Sequence, residues 1–249
     1  MQEFQTNIQT ADGTMDTFVC HPDEGGPVPA VIFYMDAPGI REELRDMARR
    51  IATVGYCVVM PNMYYRNGTE GNYGFDFSNT GDIDEERQKM FAVMRSLTNA
   101  RIVADTGPML DFIDGCDGAA SGPVGCVGYC MSGQFVVAVA AAFPERMAAI
   151  ASYYGVGIVT DEADSPHLGA EKIKGELYLA FAEEDAWVPQ KVFDTLPSTL
   201  TAAGVDHRIE VYPGTEHGFA FPNRPVYVKA AAERHWQRLF ALFDRRLRR

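Results

Sequence analysis

Short apolar runs alternate with helix-period segments through most of this chain. Ala30-Val31-Ile32-Phe33-Tyr34 has the pattern of a buried strand. Between Glu42 and Val54, apolar residues recur on one helical face at Leu44, Met47, Ala48 and Ile51, and Gly55 ends the pattern. Tyr56 to Met60 is a second apolar run, stopped by Pro61-Asn62. The runs at Val124 to Val127, Ala148 to Tyr154, Glu176 to Phe181 and His207 to Tyr212 read as further strands. Helices are predicted over Asp84 to Leu97, Arg101 to Ile113, the alanine-rich stretch Phe135 to Phe143, Val192 to Ala203, and Val226 to the C-terminus. Strands alternating with helices from Ala30 onward predict an α/β fold, with a mostly parallel central sheet and helices on both faces. Asp12-Gly13 lies between the extended-looking segments Phe4 to Gln9 and Met15 to Cys20, which predicts an antiparallel N-terminal hairpin. Arg66 to Gly81 is rich in Gly, Asn and aromatic residues without a period and reads as a long loop over one end of the sheet. With no composition break, linker or repeat, residues 1–249 read as a single domain.

Composition narrows the function classes. At 47% hydrophobic and 22% charged residues, the chain can build a sizeable core. A formal net charge of −12 argues against nucleic-acid binding, which rests on clustered Lys and Arg, and against a membrane-surface role. The N-terminus shows no basic region followed by an apolar core, and Phe135 to Phe143 is far too short to span a bilayer. The five cysteines are odd in number and lack a CxxC pair, which points to reduced thiols in a cytoplasmic protein and against a metal site.

Gly128-Tyr129-Cys130-Met131-Ser132-Gly133 stands where the Val124 run meets the alanine-rich helix. Strand, tight turn and helix, with a reactive side chain among small residues, is the pattern of a nucleophile elbow with cysteine in place of serine. In open α/β sheets, ligands bind beyond the carboxyl ends of the strands. Two other strand ends carry compatible groups, Ala182-Glu183-Glu184-Asp185 and Pro213-Gly214-Thr215-Glu216-His217-Gly218. The chain order is therefore nucleophile, acid, histidine. A thiol near its ordinary pKa is mostly protonated at neutral pH and needs a base or a positive field. His217 can take that proton and return it to a leaving group. A carboxylate of the acid run, with Asp185 in competition with Glu183 and Glu184, can hold the imidazole tautomer. The helix after Cys130 points its positive dipole end at the thiolate. The Met131 N–H is placed as one oxyanion donor, and the loop after the Ala30 to Tyr34 strand offers a second at Ala37.

Gly128 to Gly133, Tyr153-Tyr154-Gly155-Val156-Gly157, Glu184-Asp185-Ala186-Trp187-Val188-Pro189 and Glu216-His217-Gly218-Phe219 together resemble the dienelactone hydrolases, or carboxymethylenebutenolidases. The resemblance covers nearly the whole chain. It implies an α/β-hydrolase fold, a triad of Cys130, His217 and Asp185, a thioester intermediate, a small-molecule ester or lactone substrate, and no metal or organic cofactor. It also implies a carboxylate partner for the resting thiol just after the third strand; the family usually has Glu there, and this chain has the shorter Asp36. Where the family places a substrate-binding arginine four residues after the histidine, this chain has Phe221, with Arg224 close by. For a second such arginine, in the helix after the long loop, the candidates are Arg87 and Lys89. These departures point to an ester less acidic or more apolar than dienelactone. Tyr153 and Tyr154 are candidates for lining the pocket.

Plainer roles exist for several of these residues. Asp36 could cap the helix that begins near Gly39, Arg87 and Lys89 could be surface helix residues, and Cys20, Cys57 and Cys126 fit a core. Two other function classes fit part of the pattern. One is a non-catalytic binding protein on the same fold. The other is a thiol redox sensor, with Cys126 as resolving thiol for Cys130. The assembly is expected to be a monomer or a small homo-oligomer.

Overall fold

The computed structural model describes residues 1–77 and 83–248. They form two compact units, Met1–Ser121 and Gly122–Arg249.

The first unit opens with the predicted hairpin. Strands β1 (Gln2–Thr10) and β2 (Gly13–His21) pair antiparallel from Gln2↔His21 to Thr10↔Gly13. The two-residue loop is therefore Ala11-Asp12, one position earlier than the Asp12-Gly13 signal suggests. Strands β3 (Ala30–Tyr34) and β4 (Cys57–Pro61) are parallel and wholly buried. Helix α1 (Glu42–Thr53) connects them and packs Leu44, Met47, Ala48, Ile51 and Ala52 inward. The strand order is β1-β2-β4-β3. Pro61 is the last residue of β4, opposite Thr17 of β2, rather than a stop before the strand end. Helices α2 (Ile83–Met94) and α3 (Asn99–Asp114) follow, and the Thr98 hydroxyl caps α3 by accepting the Arg101 N–H. The described part of the long loop is tied down by its own rings. Tyr64, Tyr73 and Phe75 meet at centroid distances of 5.4 to 6.1 Å, and the Tyr73 hydroxyl accepts the Ile40 N–H. Residues 78–81 of that loop lie outside the described residues.

The second unit contains β5 (Val124–Tyr129), a 3₁₀ turn over Cys130–Ser132, α4 (Gly133–Ala142), β6 (Met147–Tyr153), a 3₁₀ segment over Pro166–Lys172, β7 (Glu176–Glu184), α5 (Gln190–Ala202), β8 (His207–Glu216) and α6 (Lys229–Leu247). The four strands pair in parallel in chain order. A Cβ on Gly125 would press on Phe243 and Leu247 of α6, and one on Gly128 would press on Val136 of α4. Residues an odd number apart on a strand point to opposite faces, so helices cover both sides of β5. That double coverage explains why β5 and β6 read as continuous apolar runs instead of alternating ones.

Helix α6 is fixed by apolar packing and by buried charge. Phe243 and Leu239 are fully buried. Glu210 of β8 accepts from the Tyr178 hydroxyl at 2.7 Å and pairs with Arg234 and Arg238, while Glu176 of β7 pairs with Arg245 and Arg246. Truncating a fully buried phenylalanine removes transfer energy and leaves a cavity. Phe243→Ala is therefore expected to destabilise the protein by about 3–5 kcal/mol, read as a lower denaturation midpoint in urea.

Candidate active site

The parallel strands of the second unit end at one edge, and each is followed at once by a residue of chemical interest. Cys130 follows β5, Tyr154 follows β6, Asp185 follows β7 and His217 follows β8. Backbone pairing brings these positions side by side. Tyr129 is level with Tyr153, Tyr153 with Ala180, and Glu184 with Glu216 after a register shift that lengthens the last two strands.

Cys130 is half-buried and has φ +55°. A side chain other than glycine rarely occupies this left-handed region, and such strain concentrates at functional turns. The glycines around it make the turn possible. A Cβ on Gly128 would come within 2.7 Å of the Ser132 carbonyl oxygen, and one on Gly133 would overlap the Cα of Gly155. The Val156 N–H donates to the Cys130 carbonyl at 3.0 Å, tying the segment after β6 to the elbow. Met131 is buried at the first turn of the helix.

The Asp185 side chain is nearly inaccessible, and both its oxygens are used. Oδ1 accepts the Trp187 N–H at 2.9 Å, a local turn that suits the short Asp side chain. Oδ2 meets His217 Nδ1 at 2.8 Å. Glu183 and Glu184 are exposed, and Glu183 accepts the Gly214 N–H at 2.7 Å, so it braces the β8 loop. Of the three acids, Asp185 is the one joined to the histidine. His217 is itself mostly buried. Burial opposes its charged form, but the Asp185 hydrogen bond and the nearby Cys130 outweigh that and push its pKa up to about 9. Its Nε2 is buried and makes no aligned hydrogen bond among the described residues.

The remaining candidates have clear positions. In the first unit, Asp36 is fully buried and bound in bidentate fashion by Arg41, at 2.5 and 3.2 Å. The Ala37 carbonyl accepts the Tyr64 hydroxyl at 2.9 Å. Arg87 pairs with Asp84, and Lys89 pairs with Glu85 and Glu86, along the exposed side of α2. In the second unit, Tyr153 is fully buried. Its ring stacks on Tyr129 and its hydroxyl donates to the His235 carbonyl at 3.1 Å. Phe221 is fully buried against Tyr129 and Tyr154. The Arg224 guanidinium lies 5.0 Å over the Phe221 ring and packs on the back of Gly218, beside His217.

Sequence reasoning missed Arg41 and Tyr64, because nothing in a loop spacing of five residues marks an Asp–Arg clamp. Cys126 is fully buried, and burial pushes its thiol well above the ordinary range, as it does for Cys20, to about 12. Neither is suited to thiolate chemistry at neutral pH. Among the described residues, no group of three or more His, Cys, Asp or Glu side chains is placed to hold a metal ion. No helix among them is long and apolar enough to cross a membrane.

A parallel sheet with an N-terminal antiparallel hairpin, helices on both faces and reactive residues at the strand ends defines an α/β-hydrolase. Comparison with known proteins makes this specific. Residues 15–247 match the model of the dienelactone hydrolase family, and the chain belongs to that family. It is 30% identical over 234 residues to a Synechocystis sp. protein assigned as a carboxymethylenebutenolidase, covering 93% of this chain and 92% of that one. An Escherichia coli K12 protein with the same assignment is 27% identical over 245 residues, covering 96% and 85%. A crystal structure of a Klebsiella pneumoniae protein assigned as a dienelactone hydrolase superposes with a TM-score of 0.84 at 26% identity, covering 97% and 98% of the two chains. The protein is a hydrolase acting on carboxylic ester or lactone bonds of small molecules.

The raised pKa of His217 has a stability consequence of definite sign. A basic group whose folded pKa of about 9 exceeds its ordinary 6.5 stabilises the fold fully below the lower value, and that contribution is lost as pH rises through the higher one. Asp185→Asn removes the hydrogen-bonded carboxylate. The stability difference between parent and variant should therefore be largest near pH 6 and shrink towards pH 10 in chemical denaturation. A difference that is flat across that window would contradict a paired imidazolium.

Proposed function

We propose that this enzyme cleaves its ester or lactone through a Cys130-His217-Asp185 triad and a thioester intermediate. The observation that carries the proposal is the 2.8 Å hydrogen bond that His217 Nδ1 donates to Asp185, in a histidine whose basicity Cys130 raises, with Cys130 itself held at φ +55°. At neutral pH a histidine with a pKa of about 9 carries a proton, and in the proposed cycle the attacking form of Cys130 is the thiolate beside that imidazolium. The thiolate adds to the carbonyl carbon, and the carbonyl electrons move to oxygen. The Met131 N–H, at the positive end of the helix, stabilises that oxyanion. When the C–O bond breaks, His217 gives its proton to the departing alkoxide. Neutral His217 then takes a proton from water as the hydroxide adds to the thioester. Collapse releases the carboxylic acid and regenerates the thiolate and imidazolium. Asp185 holds the ring in one orientation throughout and offsets its charge.

Arg41 binds both oxygens of Asp36, so this side chain is held in one orientation in the segment after β3. For a substrate carboxylate the favoured cation is Arg224, supported by its contact with Gly218 and by Phe221 beneath its guanidinium. Arg87 and Lys89 are weaker choices because helix carboxylates already engage them. The hydroxyl of Tyr153 is likewise engaged within the core, which leaves that residue a role in shaping the pocket wall.

Cys130→Ala should lower kcat on activated esters by at least about a thousandfold with the unfolding midpoint preserved. Activity within tenfold of the parent would exclude Cys130 as nucleophile. Arg224→Ala should raise KM about tenfold for lactones that carry a free carboxylate, equivalent to about 1.4 kcal/mol, and leave neutral aryl esters unchanged. Equal effects on both substrate classes would exclude Arg224 as the carboxylate ligand.

A further inference from the structure

Tyr154 shares an unusual backbone state with Cys130. These two are the residues other than glycine with positive φ among the described residues, at +40° and +55°. Each is the first residue after its strand, on adjacent parallel strands. For a bulky side chain this conformation costs roughly 1–3 kcal/mol and persists only where the surroundings over-determine it. Tyr154 is held on all sides. Its N–H donates to the Ala180 carbonyl of β7 at 2.7 Å, and its side chain is fully buried. Its ring lies edge-to-face against His217 at 5.1 Å and Phe219 at 5.3 Å, and touches Tyr129 at 5.9 Å.

The bend has two consequences. It turns the chain back so that Gly155 closes on Gly133, where an added Cβ would lie 2.7 Å from the Gly133 Cα, and so that the Val156 N–H reaches the Cys130 carbonyl. It also points the Tyr154 ring at the imidazole. An extended residue at this position would continue β6 and lose both contacts. We infer that Tyr154 is a positioning residue that locks the nucleophile turn through its backbone and the His217 ring through its side chain, so that sulfur and imidazole keep one relative placement. Asp185 fixes one ring nitrogen of His217, and the Tyr154 ring packed against it restricts rotation of the imidazole about that hydrogen bond. The inference rests on Cys130 and His217 acting as proposed above.

Misplacing a reacting group by about 1 Å can cost on the order of a hundredfold in rate. Tyr154→Leu removes the aromatic ring, and Tyr154→Phe keeps it. Both are compared with the parent and with Cys130→Ala in steady-state hydrolysis of a neutral aryl ester, alongside thermal unfolding. Tyr154→Leu is expected to lower kcat by about 30- to 100-fold with KM within threefold, and Tyr154→Phe to restore kcat to within threefold of the parent. If Tyr154→Leu does not fold, Tyr154→Met carries the same expectation with the volume better filled. A folded Leu or Met variant with parental kcat, or one whose loss lies in KM, overturns the role of Tyr154 while leaving the triad standing, provided Cys130→Ala is inactive. Turnover by Cys130→Ala overturns the triad itself, and the positioning role with it.

Discussion

Parallel backbone pairing of β5 to β8 is the constraint on which the active edge depends. Parallel strands end on the same side, so one sheet edge collects the residue that follows each strand. The cohesion that keeps the strands in register lies away from that edge. It comes from apolar side chains of β5, β6 and β7 under α4 and α6, and from the Glu210 and Glu176 clusters that fasten α6. The chemistry can therefore be polar and strained without being responsible for the fold. The energy that holds Cys130 and Tyr154 in left-handed conformations is drawn from a core that neither residue builds alone.

Small residues translate that core into geometry. Gly128, Gly133 and Gly155 sit where any Cβ would strike backbone or a neighbouring strand segment. Their absence of side chain lets the 3₁₀ turn at Cys130 nest against the segment after β6. Asp185 shows a related economy of size. One oxygen closes a turn onto Trp187 and the other meets His217, an arrangement that a longer acid would not close. In the first unit, Asp36 is held by Arg41 with comparable rigidity.

Much of the fold was legible in the sequence because burial writes itself as apolar runs. β3 coincides with the predicted run, and α1 ends at Thr53, one residue before the predicted end at Val54. Legibility failed where backbone pairing continues after burial stops. β7 runs on through Glu183 and Glu184, and β8 through Pro213, Gly214, Thr215 and Glu216, although neither extension is apolar. The 3₁₀ segment over Pro166–Lys172 has no period to detect, and Pro108 and Pro197 lie inside helices that their presence would discourage. At the site, residue order and glycine context singled out Cys130 and His217. The choice of Asp185 over its acidic neighbours came from resemblance, and its physical reason, the two-way use of a short carboxylate, is visible only in three dimensions. The backbone state of Tyr154 could not be read from sequence, because tyrosine rarely adopts it and no local pattern marks it.

The central claim is that the residue at the end of β5 bonds covalently to the substrate acyl group. The most direct test is rapid acid quench during turnover of an activated ester, followed by intact-mass measurement and peptide mapping. The account predicts a mass increase equal to one acyl group, carried by the peptide that contains Cys130 and released by hydroxylamine as a thioester is. Rapid ester consumption with no adduct at any quench time, even with a substrate chosen to slow deacylation, or an adduct on any other residue, would contradict it.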